Sequence, residues 1–189
     1  TPPDAPDVTG ITDDTAETDG TTSDPMLVFG GTAEADATVE VFVESVSVGT
    51  TVADGVGDWS FDHTQTELAD GVYAVTATAT DAAENTSQLS TEFTVTVDTI
   101  APDVPGTPDL TEASDSGSSN ADNITNVATP TLEGTSEPGT TIALASDADG
   151  PLGATTADGA GDWTITVPEL SDGDHVVTAT ATDTAGNQS

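Results

Sequence analysis

Thr76-Ala77-Thr78-Ala79-Thr80-Asp81 returns without change as Thr178-Ala179-Thr180-Ala181-Thr182-Asp183. Each copy alternates hydroxyl and methyl side chains, the period-two pattern of a half-buried β-strand, and each ends on an Asp. The match spreads outward from there. Ala53-Asp54-Gly55-Val56-Gly57-Asp58-Trp59 pairs with Ala157-Asp158-Gly159-Ala160-Gly161-Asp162-Trp163, and Leu68-Ala69-Asp70-Gly71 with Leu170-Ser171-Asp172-Gly173. Gly31-Thr32-Ala33-Glu34 pairs with Gly134-Thr135-Ser136-Glu137, and Pro3-Asp4-Ala5-Pro6 with Pro102-Asp103-Val104-Pro105. Self-similarity at one fixed order means two copies of one structural unit. The division falls at 1–98 and 99–189. Each part is near the common domain size of about 100 residues.

In the first unit, alternating runs predict strands at 8–11, 26–30, 38–43, 47–53, 59–62, 72–80 and 91–98. Asp-Gly at 19–20, 54–55 and 70–71, and Gly30-Gly31, supply the turns. No segment shows the helical period. About seven short strands in about a hundred residues is the pattern of an immunoglobulin-like sandwich, so the fold is all-β. In the 72–80 run, Tyr73, Val75, Ala77 and Ala79 face one way and are assigned to the core. Trp59 and Trp163 occupy matched places and are assigned to the two cores. Tyr73 and His175 share a slot after an Asp-Gly turn, and each is expected to tie its polar tip to nearby backbone. Ser189 aligns with Ser87, so the second unit is expected to be C-terminally truncated, with no counterpart of residues 88–98 and an exposed edge.

The chain of 189 residues carries 35 Asp and Glu, no Lys, no Arg and two His, for a formal charge of -35. Nucleic acid and anionic membrane surfaces are therefore excluded as partners of a basic patch. No apolar run approaches the length of a membrane helix, so no membrane insertion is expected. Carboxylates without fixed countercharge repel one another, and only salt or bound cations relieve this. There is no Cys, hence no disulfide and no thiolate metal site.

The units meet at Thr94-Val95-Thr96-Val97-Asp98-Thr99-Ile100-Ala101-Pro102-Asp103-Val104-Pro105. A strand runs into a linker whose two prolines fix their own φ and bias the preceding residues to extended conformations. Arranged up and down, the first unit places Asp13, Asp14, Asp19, Asp70 and Asp98 at its C-terminal pole. The second places Glu137, Asp158, Asp162, Asp183 and Asn187 at its N-terminal pole, with Asp103 in the linker. Ca2+ takes six to eight oxygens at about 2.3–2.6 Å and suits such a junction, whereas Mg2+ demands strict octahedral geometry. Zn2+ favours His or Cys ligands, and the two His lie a module apart. The stretch Asp115-Ser116-Gly117-Ser118-Ser119-Asn120-Ala121-Asp122-Asn123 has its own oxygen-rich spacing, to serve a further junction or to bind within the loop. It is not an EF-hand, since no helices flank it. For each single Asp there is a simpler reading, because Asp and Asn favour turns by bonding their own backbone.

Taken together, VDTIAP, GTAEADATV, ADGVGDWSF, LADG and TATATDAAEN resemble the bacterial Ig-like repeats of giant repeats-in-toxin (RTX) adhesins, which are type I-secreted and biofilm-associated. The resemblance spans both units. It implies an extender at the bacterial cell surface, in which neighbouring repeats in one chain are the partners, Ca2+ sits at each junction, and a distal adhesive domain is projected. It implies Asp14, Asp19, Asp98 and Asp183 as junction ligands, with Asp115 and Asp122 as counterparts in the second unit. Many such loops read Asp-x-x-Gly-Asn, and Glu84 stands where Gly186 stands in the second unit. A monomer is expected. A carbohydrate- or host-surface-binding module is the alternative, though exposed aromatic platforms are scarce when aromatics are 4% of residues. No nucleophile–base spacing or cofactor loop points to an enzyme.

Overall fold

A computed structural model describes residues 1–11 and 20–189, which divide into two compact units, Thr1–Thr99 and Ile100–Ser189. Among the described residues there are strands and turns and no helix. The first unit contains β1 (Asp7–Ile11), β2 (Thr21–Thr22), β3 (Val28–Thr32), β4 (Thr38–Val43), β5 (Val46–Val52), β6 (Asp58–Asp62), β7 (Gly71–Thr80) and β8 (Phe93–Val97). Two sheets form, ordered β1-β3-β6 and β2-β8-β7-β4-β5. They make the expected all-β sandwich. The second unit contains β9 (Asp109–Leu110), β10 (Thr131–Thr135), β11 (Thr141–Ser146), β12 (Gly150–Thr156), β13 (Asp162–Thr166) and β14 (Val177–Thr182). Its sheets are β13-β10-β9 and β12-β11-β14.

The pattern in β7 behaves as the alternation requires. Val75, Ala77 and Ala79 are buried, while the Thr residues between them are half-exposed. Small inward residues let the sheets approach, and the larger volume comes from the facing strands. Phe29, Val39, Val41, Trp59, Val95 and Val97 complete the first core. Leu132, Ile142, Leu144, Leu152, Trp163 and Ala181 fill the second.

Each Trp lies across a glycine on the neighbouring strand. Gly31 pairs with Trp59, and Gly134 with Trp163. A Cβ on Gly31 would stand 2.7 Å from Trp59 Cζ2, and one on Gly134 would overlap the Trp163 ring. The first Gly of each matched Gly-Thr-x-Glu run is thus the bed for an indole. The two indole N–H groups are buried without a partner, a cost of about 1–3 kcal/mol each that ring burial must exceed.

The β4–β5 turn is less obvious from sequence. Glu44 and Ser45 both adopt positive φ, 51° and 63°, as a two-residue hairpin turn demands, although neither is Gly or Asn. Tertiary bonds hold the turn. Glu44 N donates to Ala74 O at 2.9 Å, and the Glu44 carboxylate accepts from Ala74 N at 2.7 Å. Asp147 repeats the clamp on Val176 in the second unit, accepting from its N–H at 2.8 Å.

Candidate functional site: the acidic loops

Several loop carboxylates spend their oxygens on their own turns. Asp158 Oδ1 accepts from Ala160 N at 2.8 Å and Asp162 N at 3.0 Å, as Asp54 does from Val56 and Asp58. Asp183 accepts from the N–H groups of Ala185 and Asn187 and from Asn187 Nδ2, each at 2.9 Å. Asp81 makes the matching set with Ala83 and Asn85. Such bonds favour the charged carboxylate. The Asn85 amide and backbone hold Asp81 below the usual carboxylate range, and the backbone N–H groups of Val56 and Asp58 do the same for Asp54. Glu84 takes the left-handed φ of 64° that Gly186 takes at 91°, so the departure from Gly leaves the turn intact.

Asp70 Oδ1 accepts from both the N–H and the hydroxyl of Thr99 at 2.9 Å, latching the chain just past β8. Asp98 N donates to Thr22 O at 3.0 Å, and its side chain is half-buried. Asp103 is exposed, and its N–H donates to Glu137 Oε1 at 2.7 Å. Asp13, Asp14 and Asp19 lie outside the described residues. Among the described residues, no three His, Asp or Glu side chains cluster in a way that would hold a metal on their own. A cation here needs hydroxyl, amide or carbonyl oxygens as well.

The loop between β9 and β10 differs from the turns. Asp115 is only 5% exposed. Its N–H donates to Thr111 O at 2.9 Å, and its Oδ2 accepts from the N–H groups of Asp122 and Asn123 at 3.1 and 3.2 Å. Its Oδ1 is buried with no hydrogen-bond partner. A buried carboxylate oxygen left unmatched costs several kcal/mol, on the order of the 1–3 kcal/mol of a neutral group or more. The chain holds no Lys or Arg to supply a donor. Along this loop the side chains that could ligate a metal offer oxygen and neither imidazole nor thiolate: the carboxylates of Glu112 and Asp122, the hydroxyls of Ser116 and Ser119, and the amides of Asn120 and Asn126. That chemistry suits a hard cation such as Ca2+ and not Zn2+. Asn123, at φ 55°, bends the loop back so that its Oδ1 accepts from Leu110 N at 2.9 Å.

One constellation was not visible in sequence. Ser146 Oγ lies 2.9 Å from His175 Nδ1, and Asp149 Oδ2 lies 3.6 Å from the same nitrogen. The Nε2 of His175 is 2.8 Å from Ser171 O, so Nε2 carries the proton and donates. A nucleophilic triad needs Ser and Asp on opposite ring nitrogens. Here both crowd Nδ1, Nε2 is committed to a carbonyl, and the Ser is buried. The arrangement is structural. His175 tethers its corner as Tyr73 does, whose Oη donates to Ala69 O at 2.8 Å. The Ser171 backbone N–H holds Asp149 below the usual carboxylate range.

The profile of the bacterial Ig-like domain matches residues 3–99 and 102–189. A comparison with curated proteins returns no match. Among solved structures, a 1.5-MDa bacterial ice-binding adhesin aligns with 100% of this chain at 22% identity and TM-score 0.45. The chain spans 62% of that structure. Fibronectin(III)-like modules of CbhA from Clostridium thermocellum align with 95% of this chain and 87% of theirs, at 15% identity and TM-score 0.53. The BSP domain of a biofilm-associated protein aligns with 99% of this chain and 27% of its own, at 19% identity and TM-score 0.32.

Proposed function

Because the chain belongs to the bacterial Ig-like domain family, as two tandem copies, we propose that it is an extender segment of a large bacterial cell-surface adhesin, stiffened by Ca2+ in its acidic loops. It works outside the cell, reached by type I secretion, and holds a distal adhesive domain away from the surface. It catalyses nothing. The observation that carries this reading is Asp115: a buried carboxylate oxygen without a partner, in a chain of net charge -35 that has no cationic side chain except two His. Ca2+ supplies the missing charge, and Asp115 and Asp122 with hydroxyl, amide and carbonyl oxygens of the same loop are the residues that would hold it. The same need for countercharge extends to Asp98, Asp103 and Asp183 and to the acidic loop of the first unit.

The folding logic follows from the charge. Where Ca2+ is scarce, carboxylate repulsion opposes compaction. Where Ca2+ is abundant, binding to the folded state alone adds stability by mass action. A sugar-binding role has less support, since none of the Trp, Tyr or Phe residues is among the exposed large hydrophobics. Small-angle scattering of this chain tests the extender directly. In millimolar Ca2+ the maximum dimension is expected to be longer and its distribution narrower than in EDTA, with Mg2+ alone leaving the EDTA profile. Identical profiles in Ca2+ and EDTA would overturn the stiffening.

A further inference from the structure

The chain has two His, and the two units house them in opposite ways. His63 follows directly on β6 and is only 8% exposed. Its ring lies against two phenyl rings, with centroids 5.8 Å from Phe29 and 6.2 Å from Phe61 at interplanar angles of 32° and 30°. Its backbone N–H donates to Leu27 O at 2.9 Å and its carbonyl accepts from Thr66 N at 3.0 Å, so the main chain fixes it there. Among the described residues, neither ring nitrogen has a hydrogen-bond partner. The same position in the second unit is Val167. It follows directly on β13, its N–H donates to Pro130 O at 2.9 Å, and it is 2% exposed in the second core. The slot is an apolar core position, and the first unit fills it with a side chain that can take up a proton.

The groups around His63 offer little to a second proton. β3 carries no titratable side chain. Ahead of it, Asp24 Oδ1 accepts from Met26 N at 2.8 Å. On β6, Asp58 is exposed, and Asp62 is turned to Thr64, accepting from its N–H at 2.9 Å and its hydroxyl at 2.6 Å. Further on, Glu67 is exposed. Among the described residues, Asp62 is the carboxylate whose charge acts on the ring. Burial pushes the His63 imidazole below its ordinary value of 6.5, and Asp62 opposes this only in part. The phenyl faces attract an imidazolium but give its two N–H groups no acceptor. His175 is built the other way. Its Nδ1 has Ser146 Oγ at 2.9 Å and Asp149 Oδ2 at 3.6 Å, and its Nε2 has Ser171 O at 2.8 Å. A proton added there meets a carboxylate.

We propose that His63 makes the first unit an acid-responsive module: mild acid weakens its sandwich, while the second unit, with Val167 in the slot, holds. The sign follows from linkage. The folded unit disfavours the charged ring and the unfolded chain does not, so in mild acid the unfolded state binds more protons. The stability is fully present above the ordinary His value, is lost as pH falls through it, and the loss levels off below the folded value. Ordinary carboxylates titrate at about pH 4, so the interval from about pH 7.5 to 5.5 belongs to His. A chain of both units then yields at one and holds at the other. The inference stands on the first core and is independent of any metal and of the extender reading.

The test uses the whole chain at constant Ca2+ and ionic strength. Urea unfolding of each unit is followed through its own backbone amide resonances at pH 7.5 and at pH 5.5. Between the two, the unfolding equilibrium constant of the first unit is expected to rise about three- to tenfold, and that of the second to change less than about twofold. His63→Val, which installs the residue of the second unit, should abolish the rise. In the unmodified folded chain the His63 ring resonance should titrate with a midpoint below 6.5, a reading that needs no variant. A first unit equally stable at both pH values, a matching rise in the second unit, a rise that survives His63→Val, or a ring midpoint at or above 6.5 would overturn the proposal.

Discussion

Replacing Trp163 by Ala is expected to destabilise the second unit by about 3–5 kcal/mol, as large-to-small changes of buried aromatics do. The ring is 2% exposed and lies against a glycine, so no side chain on β10 at that point can lean in to fill the gap. Trp163→Phe should cost much less. Its ring is smaller, but the change also removes an indole N–H that is buried without a partner. Chemical denaturation of the two variants, followed through the second unit's own transition, separates these outcomes. Equal losses for Ala and Phe would mean that the indole N–H finds a partner in solution. Trp59 in the first unit should give the same ranking, since it has the same bed and the same unmatched donor.

The second large effect concerns Asp115. Asp115→Asn is expected to lower the affinity of the second unit for Ca2+ at least tenfold, measured by calorimetric titration against the unmodified chain. A carboxylate contributes charge as well as an oxygen to a Ca2+ site, and Asn contributes the oxygen alone. In EDTA the same substitution should leave the melting temperature unchanged or raise it. With no cation present, a buried carboxylate with one unmatched oxygen is a burden, and the change removes its charge while the remaining amide oxygen still accepts from Asp122 and Asn123. The two halves together are diagnostic. A variant that melts lower in EDTA and binds Ca2+ normally would show Asp115 to be a structural cap, held by Asp122 and Asn123, and nothing more.

Most of the sandwich was legible because its strands are patterned on one face. The alternation in 72–80 and 91–98, the paired Trp and the Tyr73/His175 tether are all local or repeated signals. Gly30-Gly31, expected as a turn, instead lies inside β3 opposite Ser60 and Trp59, and the Asp-Gly pairs at 54–55 and 70–71 connect strands of different sheets and close no hairpin. What escaped was set by tertiary contact. Thr21–Thr22 is too short to show a period and becomes β2 only because β8 lies beside it. Glu44 and Ser45 hold a left-handed turn through the Glu44–Ala74 clamp, with no Gly or Asn to announce it. Ser87 and Ser90 read as ordinary loop polar residues, yet both are buried and cap the backbone of β7. The Ser146–His175–Asp149 contacts depend on bringing the β11–β12 hairpin to the corner before β14.

The acidic loops were legible as positions and not as roles. In one-dimensional sequence Asp158, Asp183 and Asp115 look alike, each an Asp amid small polar residues. Folded, Asp158 and Asp183 close their own turns with two or three short bonds. Asp115 is buried and keeps one oxygen unmatched. Burial distinguishes them, in a loop that folds back so that Asn123 Oδ1 accepts from Leu110 N.

The measurement closest to the central claim is a thermal melt of this chain in EDTA, in millimolar Ca2+ and in millimolar Mg2+ at matched ionic strength. The account predicts a large rise in melting temperature that is specific to Ca2+, since a ligand held only by the folded state stabilises by mass action, about 2.7 kcal/mol at a hundredfold excess over Kd. Equal melting in all three would contradict it: the carboxylates would then be a solvated surface, and cations would screen them without binding.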